Sequence, residues 1–392
     1  MTSSHKTLFK ATPVRSILAG LTMLSASGAQ AVTLGTIDNT TVKMGGYVKL
    51  DAIYSNYGDG SNANNIGRDF YVPSLTPVGG DSQSYFDMHA RQTRINFSTD
   101  TKQDEHKIKT YIEMDFMVTA VPGGDERISN SYSPRLRHAF ITFDNWLFGQ
   151  TWSTFQNVAS LPETVDFIGN TDAGIFIRQP QIRYTAGDLQ FAIENPETTV
   201  TDGAGDKVVT SDNTLPDFVA RYNLTSGDMS LVGAVLLRQM TMDQGGVDDS
   251  ELGFGISVTG KVMLGKDDIR FGVNTGSGMG RYIGLNVANG AIVNASNQLD
   301  AIGSTGLFAS FRHHWNDSWR SNFSYSAIMI DNDVALSGNS ATKNTSSLRA
   351  NALFDAAKNM TLGAELALAN RELESGSDGD LTRLQFMAMY KF

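Results

Sequence analysis

The ionisable residues of this 392-residue chain recur at alternate positions, and that spacing limits the chemistry open to them. Between positions 107 and 116, Lys107, Lys109, Glu113 and Asp115 alternate with Ile108, Thr110, Ile112, Met114 and Phe116. Successive residues of a strand face opposite sides, so the pattern describes one charged and one apolar sheet face. The same parity collects Lys43, Lys49, Arg94, Arg183, Arg221, Arg238, Arg270, Arg312, Arg320, Arg349, Arg383 and Lys391, with fewer acids: Asp51, Glu194, Asp217, Asp355 and Glu365. None of this is a catalytic constellation. His89, His106, His138, His313 and His314 stand in no nucleophile–base spacing, and neither a G-x-S-x-G elbow nor an H-E-x-x-H zinc motif occurs. The glycine-rich Gly276–Gly280 opens a long connection instead of a helix after a strand, which does not fit a phosphate cradle. The expectation is therefore no enzyme, no cofactor and no metal site.

Phe155 to Ile177 breaks the alternation. It has no clean period, it is long for a connection, and it is unusually apolar (Phe155, Val158, Leu161, Val165, Phe167, Ile168, Ile175, Phe176) while carrying Glu163, Asp166 and Asp172. Such a segment must pack against something and present acids to something else.

The elements that position these residues follow from the pattern around them. Lys6, Lys10 and Arg15, the apolar run Ser16–Leu24 and the A-x-A end at Ala29–Ala31 make residues 1–31 a secretory signal peptide, leaving a mature domain of 32–392. Its loss removes three cations and makes the formal charge of −10 more negative still, which argues against a nucleic-acid partner. No cysteine is present to staple the fold. Sixteen alternating segments can be marked, from 42–54 to 380–392, and many have the length a tilted strand needs to cross a bilayer. Their connections alternate between short turns, such as Asp144-Asn145 and Gly187-Asp188, and long segments at roughly 55–84, 119–134, 155–177, 196–215, 241–250, 277–303, 332–345 and 372–379. Long charged side chains fill the face opposite the apolar one, where a sandwich would need a dry core. The fold class is thus all-β: a 16-stranded antiparallel transmembrane β-barrel with short periplasmic turns, long extracellular loops and both termini in the periplasm. Two places resist the pattern. Asp87, His89 and Arg91 share the parity of Ile95 and Phe97, which suggests a shielded subunit contact, and around Arg135, Arg137 and His138 no inward face can be chosen.

The blocks GGYVKLDAIYSNY, RQTRINF, LRHAFITFDNWLFGQTWSTF, RQPQIRY and a terminal phenylalanine resemble the DcaP-like trimeric outer-membrane porins over essentially the whole mature chain. The resemblance implies a homotrimer in the bacterial outer membrane, in contact with the lipid bilayer and lipopolysaccharide, and a third loop folded into the pore. It implies passage of small anions, dicarboxylates above all, and Phe392 looks like the signal read by the barrel-assembly machinery. Some relatives carry a longer segment before the first strand, where Val32–Thr41 stand here. On this reading 155–177 is a constriction loop, and Glu163, Asp166 or Asp172 face Arg94, Lys107, Lys109 and Arg183 across the pore, with Lys49, Arg221, Arg270 and Arg312 lining it. A general-diffusion porin with weak or cation preference, and a barrel enzyme or adhesin, stay open as alternatives.

Overall fold

The computed structural model describes residues 31–62, 66–117 and 129–392. The expected leader lies outside them but for Ala31, as does most of the connection 119–134. Twenty-two strands follow in chain order. The first nine are β1 (Val32–Ile37), β2 (Thr40–Tyr57), β3 (Gln83–His89), β4 (Arg94–Gln103), β5 (His106–Asp115), β6 (Arg135–Phe143), β7 (Trp146–Trp152), β8 (Arg178–Ala186) and β9 (Leu189–Glu194). Then come β10 (Thr198–Thr201), β11 (Lys207–Thr210), β12 (Asp217–Ser226), β13 (Met229–Gln244), β14 (Val247–Leu264), β15 (Asp267–Ser277), β16 (Ala291–Val293) and β17 (Leu299–Ala301). The last are β18 (Gly303–His314), β19 (Trp319–Asp331), β20 (Thr342–Ala357), β21 (Met360–Leu373) and β22 (Asp378–Lys391). Because β3 and β4 pair with successive parts of β2, they count as one stave of the wall. The wall is then a closed antiparallel barrel of 16 strands, as the alternation predicts.

Closure depends on one seam. Leu381–Lys391 pair with Tyr47–Tyr57, and the terminal Phe392 exchanges two backbone bonds of 3.1 Å with Gly46. Below that point β2 runs on to Thr40 and would present an unpaired edge. β1 folds back along the same edge, from Val32 opposite Met44 to Ile37 opposite Thr40, and covers it. The alternation divides the surfaces as expected. Val48, Leu50, Phe86, Met88, Ile112, Leu237, Phe254 and Phe386 are exposed on the outside, whereas Lys49, Asp51, Glu113, Arg349 and Glu365 are buried within. Trp146, Trp315, Trp319 and Tyr390 gather at the short-turn rim, where amphipathic rings suit a membrane interface.

Three connections differ from expectation. The segment 241–250 is no loop: β13 and β14 extend as one hairpin, closed by Gly245-Gly246, both in the left-handed region that a tight two-residue turn requires. Parts of 196–215 and 277–303 form a small sheet, β11-β10-β16-β17, whose Val200, Ala291, Val293 and Leu299 pack on Met240, Met242 and Val247. Finally, residues 66–76 of the first long connection fold inward, burying Tyr71 and receiving Arg383 at Gly67 O.

Both parity failures are β-bulges. Three residues of β2 (48–50) oppose four residues (90–93) between β3 and β4, so the inward face switches from odd to even numbers. Asp87 and His89 therefore face the lumen, where Asp87 meets Arg68, while Arg91 meets Asp69; their side chains turn inward, away from the outer face on which a subunit contact was expected. On β6, Glu113 opposes His138 and Met114 opposes Leu136, which leaves Arg137 as the inserted residue. Arg137 and His138 consequently both point inward. Deleting one residue of Ala90–Thr93 should leave three residues opposite three, remove the bulge and keep Asp87, His89 and Arg94 all facing the lumen. The fast-migrating folded band on semi-native gels should therefore persist, and its loss would refute the assignment.

Candidate functional site

After β7 the chain enters the lumen and follows the inner wall, and the wall's polar side chains hold it by its peptide groups. Arg183 donates to Trp152 O (2.7 Å) and Arg221 to Gln156 O (2.6 Å). Arg270 donates to Leu161 O, Asn351 to Glu163 O (2.9 Å) and Lys49 to Val165 O (2.7 Å). Acids do the converse work: Glu194 accepts from Thr154 N (2.7 Å) and Glu365 from Val165 N (2.9 Å). On the return path Ser326 and Asn274 bind both polar groups of Ala173. The loop's apolar residues fill the gaps between these bonds. Phe155 and Ile175 join a cluster with Leu236, Tyr282, Ile283 and Ile328, and Val165 sits between Leu353 and Met387.

Two of the loop's three acids meet arginines on the β18–β20 side, away from the residues expected to face them. Glu163 is bound by two nitrogens of Arg320 (2.9 and 2.7 Å) and approached by Arg312 (3.4 Å). Burial alone would raise its pKa, but the Arg320 hydrogen bonds and the charges of Arg320 and Arg312 outweigh that and hold it below the ordinary 4.5. Asp166 pairs with Arg349 (3.0 Å). Asp172 has no cation bonded to it among the described residues; it accepts from Tyr71, Thr345 and Ser347, and burial raises its pKa. Arg312 also binds Asp268, and Arg270 binds the same carboxylate at 2.7 Å. Lys107 lies at the short-turn rim, where its backbone bonds Asp144, and Lys109 pairs with Asp100 (3.0 Å) alongside Lys43. A transverse field between the loop acids and Lys107 or Lys109 is thus replaced by local neutralisation, because the loop crosses to the far wall before presenting its acids.

A second set of charges, mostly buried or half-buried, lies against β4–β8. Arg94 is 3.4 Å from Glu113, Arg137 binds Glu113 (2.7 Å) and Asp115 (2.8 Å), and Arg135 grips Asp115 with two nitrogens. Arg178, at the start of β8, has no acid partner among the described residues; its guanidinium lies over Trp152 at 4.5 Å and Phe176 at 5.6 Å. Three guanidiniums therefore share two carboxylates, and a fourth stands beside them with neither. Alternation could not expose Arg135, Arg137 and His138, because a bulge hides their face. Arg178 escaped notice although it stands in the RQPQIRY block, with an aromatic residue two positions before it. A cavity of about 440 Å³ opens on the short-turn side of the loop, lined by Glu163, Arg312, Arg320, Asp355, Lys358 and Lys391 among others.

A closed barrel of 16 strands with a connection folded into its lumen defines the class: an outer-membrane porin-type barrel. The chain belongs to the DcaP outer membrane protein family, whose family model matches residues 25–392. It is similar to the crystal structure of the outer membrane channel DcaP of Acinetobacter baumannii, at 23% identity and a TM-score of 0.76, over 92% of this chain and 100% of that one. An anion-selective porin from Comamonas acidovorans shares the fold at 12% identity and a TM-score of 0.58, covering 90% of this chain and 100% of that one. OmpT of Vibrio cholerae, described in a trimer form, does so at 11% identity and a TM-score of 0.55, over 91% and 100%. No curated protein sequence matches the chain.

Two outcomes follow for the loop's seating. Arg349→Met leaves Asp166 and Glu365 buried without their cation, and breaking such a pair costs roughly 3–5 kcal/mol. Denaturant unfolding followed by tryptophan fluorescence should show that loss, and an unchanged midpoint would refute it. Glu163 has a lowered pKa, so its contribution is complete above the ordinary carboxylate range and fades as pH falls through its folded pKa. Single-channel current should stay quiet from neutral pH down to about 5 and grow noisy below about 4. Glu163→Gln should be noisy at neutral pH already; a quiet trace from it would remove Glu163 as an anchor.

Proposed function

We infer that the protein is a passive outer-membrane channel for small hydrophilic solutes with a preference for anions, carboxylates among them. The observation that carries this reading is Arg178, half-buried, without an acid partner among the described residues and with one guanidinium nitrogen lacking a hydrogen bond, beside three arginines that share Glu113 and Asp115. Excess positive charge at a narrow place raises the local anion concentration, and a guanidinium can grip a carboxylate through two parallel bonds. The passage runs along β4–β8, and the loop 155–177 narrows it from the other side. In this role Lys49, Arg183, Arg221, Arg270 and Arg312 fasten the loop, while Glu163, Asp166 and Asp172 seat it. The chamber below the loop keeps the same bias, since Arg312, Arg320, Lys358 and Lys391 outnumber Glu163, Asp317 and Asp355 there.

The topology fits export through a leader cleaved after Ala31, with the short turns and both termini in the periplasm and the long loops outside. The apolar outer wall suits a bilayer with lipopolysaccharide in its outer leaflet, and a homotrimer is the assembly consistent with the trimeric form of OmpT. Phe392, stitched to Gly46, is the candidate recognition signal for the assembly machinery. No catalytic step, metal, cofactor or nucleic acid enters this reading.

The reversal potential in a salt gradient across a planar bilayer tests it. Anion selectivity is expected for the intact protein, and Arg178→Gln should reduce it. Cation selectivity would overturn the reading and leave a general-diffusion porin governed by its acidic rim.

A further inference from the structure

Ion preference alone does not account for the rings in the passage. Phe70, Phe167, Phe176 and Trp152 form a continuous series, with successive centroids 5.3, 5.7 and 4.8 Å apart, leading from the first connection through the loop to the β7 wall. Guanidiniums are interleaved with it. Arg178 lies over Trp152 and Phe176, Arg137 over Trp152 (5.8 Å) and Phe167 (5.5 Å), and Arg135 over Phe167 (5.8 Å). Rings that merely seat the loop would be buried, and the loop has such residues: Phe155 and Val165 are 0% exposed. Trp152, Phe167 and Phe176 are instead only half-buried: Phe167 and Phe176 pack in part on Phe70, Met117 and Ile168, and Arg178, without an acid partner among the described residues, lies over Trp152 and Phe176.

An exposed ring beside a guanidinium offers two contacts to one solute. The ring accepts a flat π-system in an offset or edge-to-face arrangement, and the guanidinium takes a carboxylate at its edge. An aliphatic carboxylate of equal charge and size gains only the second contact. We propose that the arginine–aromatic cluster of Arg178, Arg137, Trp152, Phe167 and Phe176 is a binding site for carboxylates carried on a flat aromatic ring, which it retains longer than their saturated counterparts. This rests on the anion-channel reading and adds to it a second recognition element, the π-face. Arg178 supplies charge recognition, and Trp152 and Phe176 supply ring recognition.

Benzoate and cyclohexanecarboxylate separate the two elements, since both are monoanions on a six-membered ring and only benzoate is flat and unsaturated. Single-channel recordings of the intact protein should show benzoate blocks lasting about three to ten times longer, the factor that one aromatic pair supplies. Trp152→Leu and Phe176→Leu should each bring the ratio of dwell times close to one, whereas Trp152→Phe should keep most of it. Having two ring variants guards against one of them failing to fold. Arg178→Gln should shorten both kinds of block. Equal dwell times in the intact protein, absence of block by either anion, or a ratio that survives both leucine variants would overturn the proposal. The reversal potential of the same intact channels tells the two failures apart. Anion selectivity with equal dwell times sinks only the aromatic site, and cation selectivity sinks the anion reading with it.

Discussion

Irregular backbone is tolerated at membrane depth only where protein satisfies its N–H and C=O groups, and the loop inside this barrel meets that condition through the wall's side chains. The loop makes little regular structure of its own, so it cannot pair these groups internally. Arginine, lysine and asparagine side chains reach its carbonyls from five strands, and Glu194 and Glu365 accept from its amides. A charged side chain on a wall strand serves this purpose better than a neutral one, because charge-assisted hydrogen bonds are stronger and their alternative is a buried unpaired ion. Most of the lumen's charge is thereby committed to architecture.

That commitment explains how an acidic chain can hold a local excess of arginine inside its barrel. Many of the acids contributing to the formal charge of −10 lie on the long-loop rim, among them Asp202, Asp206, Asp248 and Asp249, or are consumed as partners within the wall. Beyond a Debye length of about 8 Å their field is largely screened, so a solute inside the barrel responds to nearby side chains. On the loop side, Glu163 and Asp166 are matched by Arg312, Arg320 and Arg349. Against β4–β8 the matching is incomplete, with Arg178 left over. The local remainder, and not the total, sets the field that a solute meets.

What could be read in the sequence depended on regularity. β5 and β22 alternate without interruption, and their faces were legible residue by residue. The loop announced itself through apolar residues where a solvent-facing connection would have few. Its partners were not legible, because the meeting of Glu163 with Arg320 depends on the curvature of the wall and not on any sequence period. The small sheet of β10, β11, β16 and β17 was hidden for a related reason. Its strands are three or four residues long and pair between separate connections, so no local pattern marks them. The resemblance to a family anticipated the in-folded loop and the class of barrel; it did not say which cations were already spoken for.

The places where alternation failed lie next to the candidate site. A regular strand turns one residue in two toward the lumen, which caps the density of inward cations. The two bulges relax that limit on either side of β5: one residue is added between β3 and β4, and Arg137 is inserted in β6 beside His138. Together with Arg94 and Arg135 they crowd charge onto three neighbouring staves, close enough for Arg94 and Arg137 to share Glu113. Bulges also weaken the ladder locally, and a wall built only for closure would have little use for two of them flanking one strand. The irregularity that makes these faces unreadable is the device that concentrates guanidinium groups on one side of the lumen, around Glu113 and Asp115.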